Sequence, residues 1–171
     1  MPHGGKCQMS KTAQVRLDCP VIIRFSFIIF GIFFIMTLFY LTVDQDNRCL
    51  EWVRAGHDPG IFYDPGKGRF EDLAGPGLAL GVDSGWGYVS NRKEGLEEGQ
   101  VIVLATDGIW EAQNIERQMF GKEALCRIIR ENADAGASTL LDAIIDALDH
   151  FRDGFNLQDD VTLIVVKIGK I

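Results

Sequence analysis

The chain has 171 residues, 47% hydrophobic and 24% charged, which is enough for one domain with a sizeable core. Lys and Arg number 17 against 24 Asp and Glu, and the resulting net charge of −7 argues against a partner held through a phosphate backbone, and so against nucleic acid. Cys7, Cys19, Cys49 and Cys126 are widely spaced with no Cys-x-x-Cys pair, so neither a zinc site nor a disulfide framework is indicated and a reducing cytoplasm fits.

Met1 to Cys19 is a polar, basic tail, with Lys6, Lys11 and Arg16 against the single Asp18. Pro20 to Val43 is a 24-residue apolar run interrupted by Arg24, and roughly 20 apolar residues suffice to cross a bilayer as a helix. A membrane anchor through this run, with the basic tail on the cytoplasmic side, is therefore one expectation. The competing expectation divides the run. Met36 to Val43 is rich in aromatic and β-branched residues, a polar turn Asp44 to Arg48 follows, and Cys49 to Ala55 reads as a second strand. We favour the resulting hairpin between Thr37–Val43 and Cys49–Ala55, which leaves Val21 to Ile35 without an assignment.

Ala55-Gly56-His57-Asp58-Pro59 closes that hairpin, and a His beside Gly and Pro reads first as a turn residue hydrogen-bonded locally. Ile61 to Tyr63, the bend Asp64-Pro-Gly-Lys-Gly68 and Arg69 to Leu73 predict a second, shorter hairpin. Gly75-Pro-Gly-Leu-Ala-Leu-Gly81 has neither P-loop nor dinucleotide-fingerprint spacing and no helix after it, so it is set aside as a nucleotide site. Tyr88 to Glu94 is expected to be an edge strand.

Val101 to Glu111, VIVLATDGIWE, is the stretch around which the chain is organised. Val101 to Ala105 has the pattern of a strand buried on both faces, and Thr106-Asp107-Gly108 then places a carboxylate at its carboxyl end on a glycine-bearing turn. Near the C-terminus Asp159-Asp160 leads into a second apolar run, Val161 to Ile168. If the two strands are antiparallel neighbours, the carboxylates meet at one edge, where a hard divalent cation relieves their repulsion. The plainer reading is a turn-forming Asp before Gly and a solvated Asp pair before a strand. Between these strands, Lys122 to Asn132 and Thr139 to Phe151 carry apolar residues at helical spacing, with Thr139 and Asp142 resembling a capping box and Gly136 and Gly154 bracketing the second helix.

Taken in order, LTVD and WVRAGHDP, then ATDGIWEAQN followed by MFG, and finally QDDVTLIVV, resemble consecutive motifs of the metal-dependent PPM-type (2C-like) serine/threonine protein phosphatases in their SpoIIE/RsbU branch. The similarity runs over about residues 34–168. It implies an α+β fold, an antiparallel β-sheet sandwich with covering helices, with the N-terminal part of the domain missing: residues 1–32 as basic tail and apolar segment, either a membrane anchor or a non-native start, and residues 33–171 as a partial phosphatase domain. It implies dephosphorylation of phosphoserine or phosphothreonine on a regulatory protein such as an anti-sigma-factor antagonist. It also implies two Mn²⁺ or Mg²⁺ ions, with Asp107 and Asp159 as ligands, Asp160 beside them, and Gly108 and His57 shaping the site. The family's early Gly-Asp and Asp-x-x-Gly-(His/Lys)-Gly motifs have no counterpart, since Asp18 is the only acidic residue between Met1 and Ile35. The chain alone is therefore expected to be a poor phosphatase. A catalytically inactive module binding a regulatory protein, or a membrane-anchored sensor fragment, are the alternatives.

Overall fold

The computed structural model describes residues 23–24, 27–29 and 35–169. The expected basic tail lies outside them, as does most of Val21 to Phe34. Two short strands, β1 (Ile23–Arg24) and β2 (Phe27–Ile29), both pair antiparallel with β3 (Ile35–Asp44). β3 forms a hairpin with β4 (Cys49–Ala55), pairing from Leu38↔Ala55 to Asp44↔Cys49. The turn is closed by Asp44, whose carboxylate accepts from the Asn47 backbone N–H and side chain, contacts that hold its carboxyl below the usual range. The described residues of Pro20 to Val43 thus lie in strands rather than in a membrane helix, and in β3 the β-branched and aromatic residues alternate between a buried face (Phe39, Leu41, Val43) and a half-buried one. Among the described residues no helix is long and apolar enough to cross a membrane.

The second hairpin is β5 (Gly60–Asp64) with β6 (Arg69–Leu73). Its bend is held by buried Asp64, which accepts from Lys67 N and Nζ and from Gln100 Nε2. β7 (Asn91–Glu94) lies at the edge of the first sheet against β4. It is shorter than the Tyr88–Glu94 expected, since residues 81–90 form an exposed loop in which Tyr88 donates to the Leu78 carbonyl. β8 (Val101–Ala105) is buried throughout and pairs with both β5 and β9 (Leu163–Lys167). The sheets therefore run β1-β3-β4-β7, with β2 also on β3, and β6-β5-β8-β9.

Their inner faces meet in one apolar layer, Phe39, Leu41, Leu50 and Trp52 against Phe62, Ile102, Leu104 and Val166. The outer face of the second sheet (Tyr63, Val101, Val103, Val165) is covered by α1 (Lys122–Glu131) through Leu125, Ile128 and Ile129, and by α2 (Ala137–Arg152) through Leu140, Ile144 and Leu148. Each such side chain, fully buried, contributes about 1.5–3 kcal/mol relative to exposure. A β-strand with apolar residues on both faces is what a middle layer requires, and this accounts for the unbroken Val101–Ala105 run. The expected capping box at Thr139 is not formed. α2 begins at Ala137 after Gly136, with no side-chain cap, and Lys167 Nζ reaches across to the Ala133 and Ala135 carbonyls in the turn between the helices.

Candidate active site

Antiparallel pairing of Ala105 with Leu163 puts the carboxyl end of β8 beside the amino end of β9. There the two acidic turns are joined by a closed set of bonds through Thr106. Its N–H donates to the Thr162 carbonyl at 3.1 Å, its hydroxyl donates to the Asp160 carbonyl at 3.1 Å, and the same hydroxyl accepts the Thr162 N–H at 3.0 Å. Strand register begins at Leu163 rather than at Val161, and the backbone just before it, at Asp160 and Thr162, is bonded to Thr106 instead. Gly108 completes it: a Cβ there would lie 2.6 Å from the Asp160 backbone oxygen, too close for any side chain.

The lock carries the predicted residues to one edge. Asp107, Asp159 and Asp160 are all exposed there. Asp159 Oδ1 accepts from the Asp160 N–H at 2.7 Å, which orients one of its oxygens toward its own turn. Gly108 and Asp159 line a cleft of about 90 Å³ with Glu111, Ala112, Gln113, Met119 and Gln158, while Asp107 and Asp160 lie outside its lining. Gln158 donates to Gln113 across this cleft at 3.2 Å. Asn114 shapes the loop beside it, its Oδ1 accepting from the Glu116 and Gln118 N–H groups. That loop leaves Ile115 at 76% and Met119 at 61% exposure.

His57 is buried, its Nδ1 lies 3.0 Å from the Asp58 carbonyl, and its ring meets Phe39 edge-on at 6.2 Å. It therefore makes the local turn bond expected of it. Because β5 begins three residues later and pairs antiparallel with β8, His57 stands at the same end of the sandwich as Thr106 to Gly108. Sequence reading overlooked Glu111 and the cleft-lining Gln113, Met119 and Gln158; only the position of Glu111 four residues after Asp107, on a turn whose Glu111 N–H donates to the Asp107 carbonyl at 2.9 Å, hinted at a shared location.

The oxygen donors suit a hard divalent cation in kind. In number they fall short of a two-ion set, since among the described residues no group of three or more His, Cys, Asp or Glu side chains is arranged to hold a metal ion.

The family described as Stage II sporulation protein E (SpoIIE) matches residues 24–169 of this chain. The chain belongs to the SpoIIE family. Among curated SpoIIE-like proteins, phosphoserine phosphatase RsbU of Bacillus subtilis is 33% identical over 132 residues, covering 77% of this chain and 38% of RsbU. Phosphoserine phosphatase RsbP of the same organism is 23% identical, over 77% of this chain and 30% of that protein. The chain thus spans well under half the length of the curated relatives it matches. Among solved structures, the SiaA-PP2C domain of Pseudomonas aeruginosa superposes with a TM-score of 0.69 at 20% identity, covering 79% of this chain and 52% of that one. The PP2C phosphatase domain of SpoIIE from Bacillus subtilis does so with a TM-score of 0.65 at 17% identity, covering 78% and 39%. These likenesses establish the PP2C-type α+β fold expected from the motifs.

Proposed function

We propose that this chain contributes to a protein phosphoserine/phosphothreonine phosphatase acting on a regulatory protein, of the kind that governs sigma factors. The observation that carries the reading is the Thr106 lock, which presents Asp107 and Asp159 from two strands at one edge of the sheet, in a chain similar to proteins named phosphoserine phosphatases. Asp107 and Asp159 would hold Mn²⁺ or Mg²⁺, with Asp160 contributing beside them. Such ions, when bound, supply an acidified water and positive charge for the phosphoryl oxygens. The chain's own residues do the positioning: Thr106 and Gly108 hold the acidic turns in register, His57 packs the end of the sandwich, and the cleft of Glu111, Met119 and Gln158 offers a surface beside the acids. An anti-sigma-factor antagonist phosphorylated on serine is the partner class this reading favours.

Because the acids gathered at this edge come, among the described residues, from one pair of turns, turnover by the chain alone should be slow. The test is hydrolysis of p-nitrophenyl phosphate and of a phosphoserine peptide with Mn²⁺, beside Asp107→Ala and Asp159→Ala variants. Metal-dependent turnover that either variant removes supports the proposal. Turnover indifferent to chelator and to both substitutions overturns it. That no group of three or more metal-binding side chains is gathered among the described residues favours a second reading, a module that binds a regulatory protein without turning it over; stable binding of that protein without hydrolysis at any Mn²⁺ concentration would select it.

A further inference from the structure

Along β4 the residues Leu50, Trp52 and Arg54 share one face, since they pair directly with Val43, Leu41 and Phe39 of β3. Phe39 and Leu41 are 0% exposed in the layer between the two sheets. The inner face of the first sheet therefore ends in a cationic side chain where its pattern calls for an apolar one. Arg54 is half-buried, and its Nε is fully buried with no hydrogen-bond acceptor among the described residues. The contrast with other arginines is plain: Arg48 donates to the Leu96 carbonyl, Arg92 to Glu51 and Glu94, and Arg152 to Asp149 and the Phe155 carbonyl. An unsatisfied buried donor on a charged group costs about 1–3 kcal/mol or more, a cost that an anionic oxygen brought to the guanidinium would offset.

The position tells which end it serves. Arg54 is at the carboxyl end of β4, His57 follows it, and the chain then enters β5, whose start lies beside the end of β8. Phe39, across from Arg54, packs on His57, and its Cζ lies 3.4 Å from the point a Gly60 Cβ would occupy, against Leu104 of β8. Arg54 thus stands between the sheets at the end that bears Thr106 to Gly108 and Asp159. There its guanidinium is a planar fork of N–H donors, matched to two oxygens of a phosphoryl group.

We propose that Arg54 binds the phosphoryl oxygens of a phosphomonoester, the phosphoserine or phosphothreonine side chain of a peptide, and of the orthophosphate released from it. This assignment rests on the phosphatase reading for its substrate, while its anion chemistry can be tested without turnover. The arginine Nε–H resonances of the ¹⁵N-labelled chain are followed as inorganic phosphate, and separately a phosphoserine peptide, is added in Mg²⁺ buffer, with chloride at matched ionic strength as control. One resonance, absent in Arg54→Lys, should shift saturably with phosphate and with the peptide and not with chloride. In steady-state assays Arg54→Lys should raise KM and the phosphate inhibition constant roughly tenfold or more, with a smaller change in kcat, as expected for a lost charge-assisted bond. Thermal unfolding of Arg54→Lys and Arg54→Met establishes that both fold, and Arg54→Met should weaken phosphate binding at least as much as Arg54→Lys does. A saturable shift without hydrolysis at any Mn²⁺ concentration would overturn the phosphatase reading and leave Arg54 as an oxyanion site. Hydrolysis with an unshifted Nε–H, and with KM and phosphate inhibition unchanged in Arg54→Lys, would overturn the assignment of Arg54.

Discussion

The hydroxyl of Thr106 donates to the backbone carbonyl of Asp160, 54 residues further along the chain, at 3.1 Å. It also accepts from Thr162, so one buried side chain joins the two turns on which Asp107 and Asp159 are carried.

Thr106→Ala leaves the Asp160 carbonyl and the Thr162 N–H without their partner, and should lower stability by about 1–3 kcal/mol. Thr106→Ser keeps both bonds and should recover most of that loss. Urea unfolding of the three proteins reads the difference, and an alanine variant as stable as the serine one would show that the hydroxyl does not join the turns.

Gly108→Ala should be more damaging to the site than its single methyl suggests. The added Cβ would lie 2.6 Å from the Asp160 backbone oxygen, and backbone cannot swing aside as a flexible side-chain tip can. The Asp160 turn must move, so amide resonances of residues 159–162 should shift, and Mn²⁺ binding by this edge should weaken. Unchanged resonances in that segment would contradict the packing described.

Asp64 sets a pH dependence far from the candidate site. The Lys67 ammonium that donates to it is the main cause holding its carboxyl below the usual range, with the Lys67 N–H and Gln100 adding to the effect and burial opposing it. A carboxyl whose pKa is lower folded than unfolded contributes stability that is complete above the unfolded value of about 4 and is lost as pH falls through the folded value. Asp64→Asn should therefore reduce stability at pH 7 by about 1–2 kcal/mol and flatten the loss of stability below about pH 4. Denaturant midpoints across that range check it; parallel curves for the two proteins would remove Asp64 as the cause.

Lys167→Met should loosen the joint between the helices. The Lys167 ammonium donates to the Ala133 and Ala135 carbonyls, at the end of α1 and in the turn before α2, and a cation there also suits the negative end of the helix. Amide exchange over residues 131–136 should accelerate, with exchange in β8 little changed. Equal acceleration in β8 would mean that Lys167 supports the whole sheet rather than this turn.

Much of this architecture was legible in the chain itself. Val101 to Ala105 is apolar at every position, which only a strand covered on both faces explains, and Leu140, Ile144 and Leu148 recur at helical spacing. The turn chemistry of Asp44 to Arg48 and Asp64 to Gly68 marked both hairpins, and the order of the motifs marked the family. Those signals are local, arising from residues a few positions apart that share a periodicity or a backbone preference. Tertiary structure decided what depends on partners distant in sequence. Thr106 is one polar residue after an apolar run until Asp160 and Thr162 are brought against it. Arg54 reads as an ordinary strand charge until its register with Phe39 turns it toward the space between the sheets. The start of α2 at Ala137 rather than at the Thr139 capping signal, like the Lys167 contact beside it, belongs to the same class: local capping preference is worth about 1 kcal/mol, and packing of the whole helix on the sheet outweighs it.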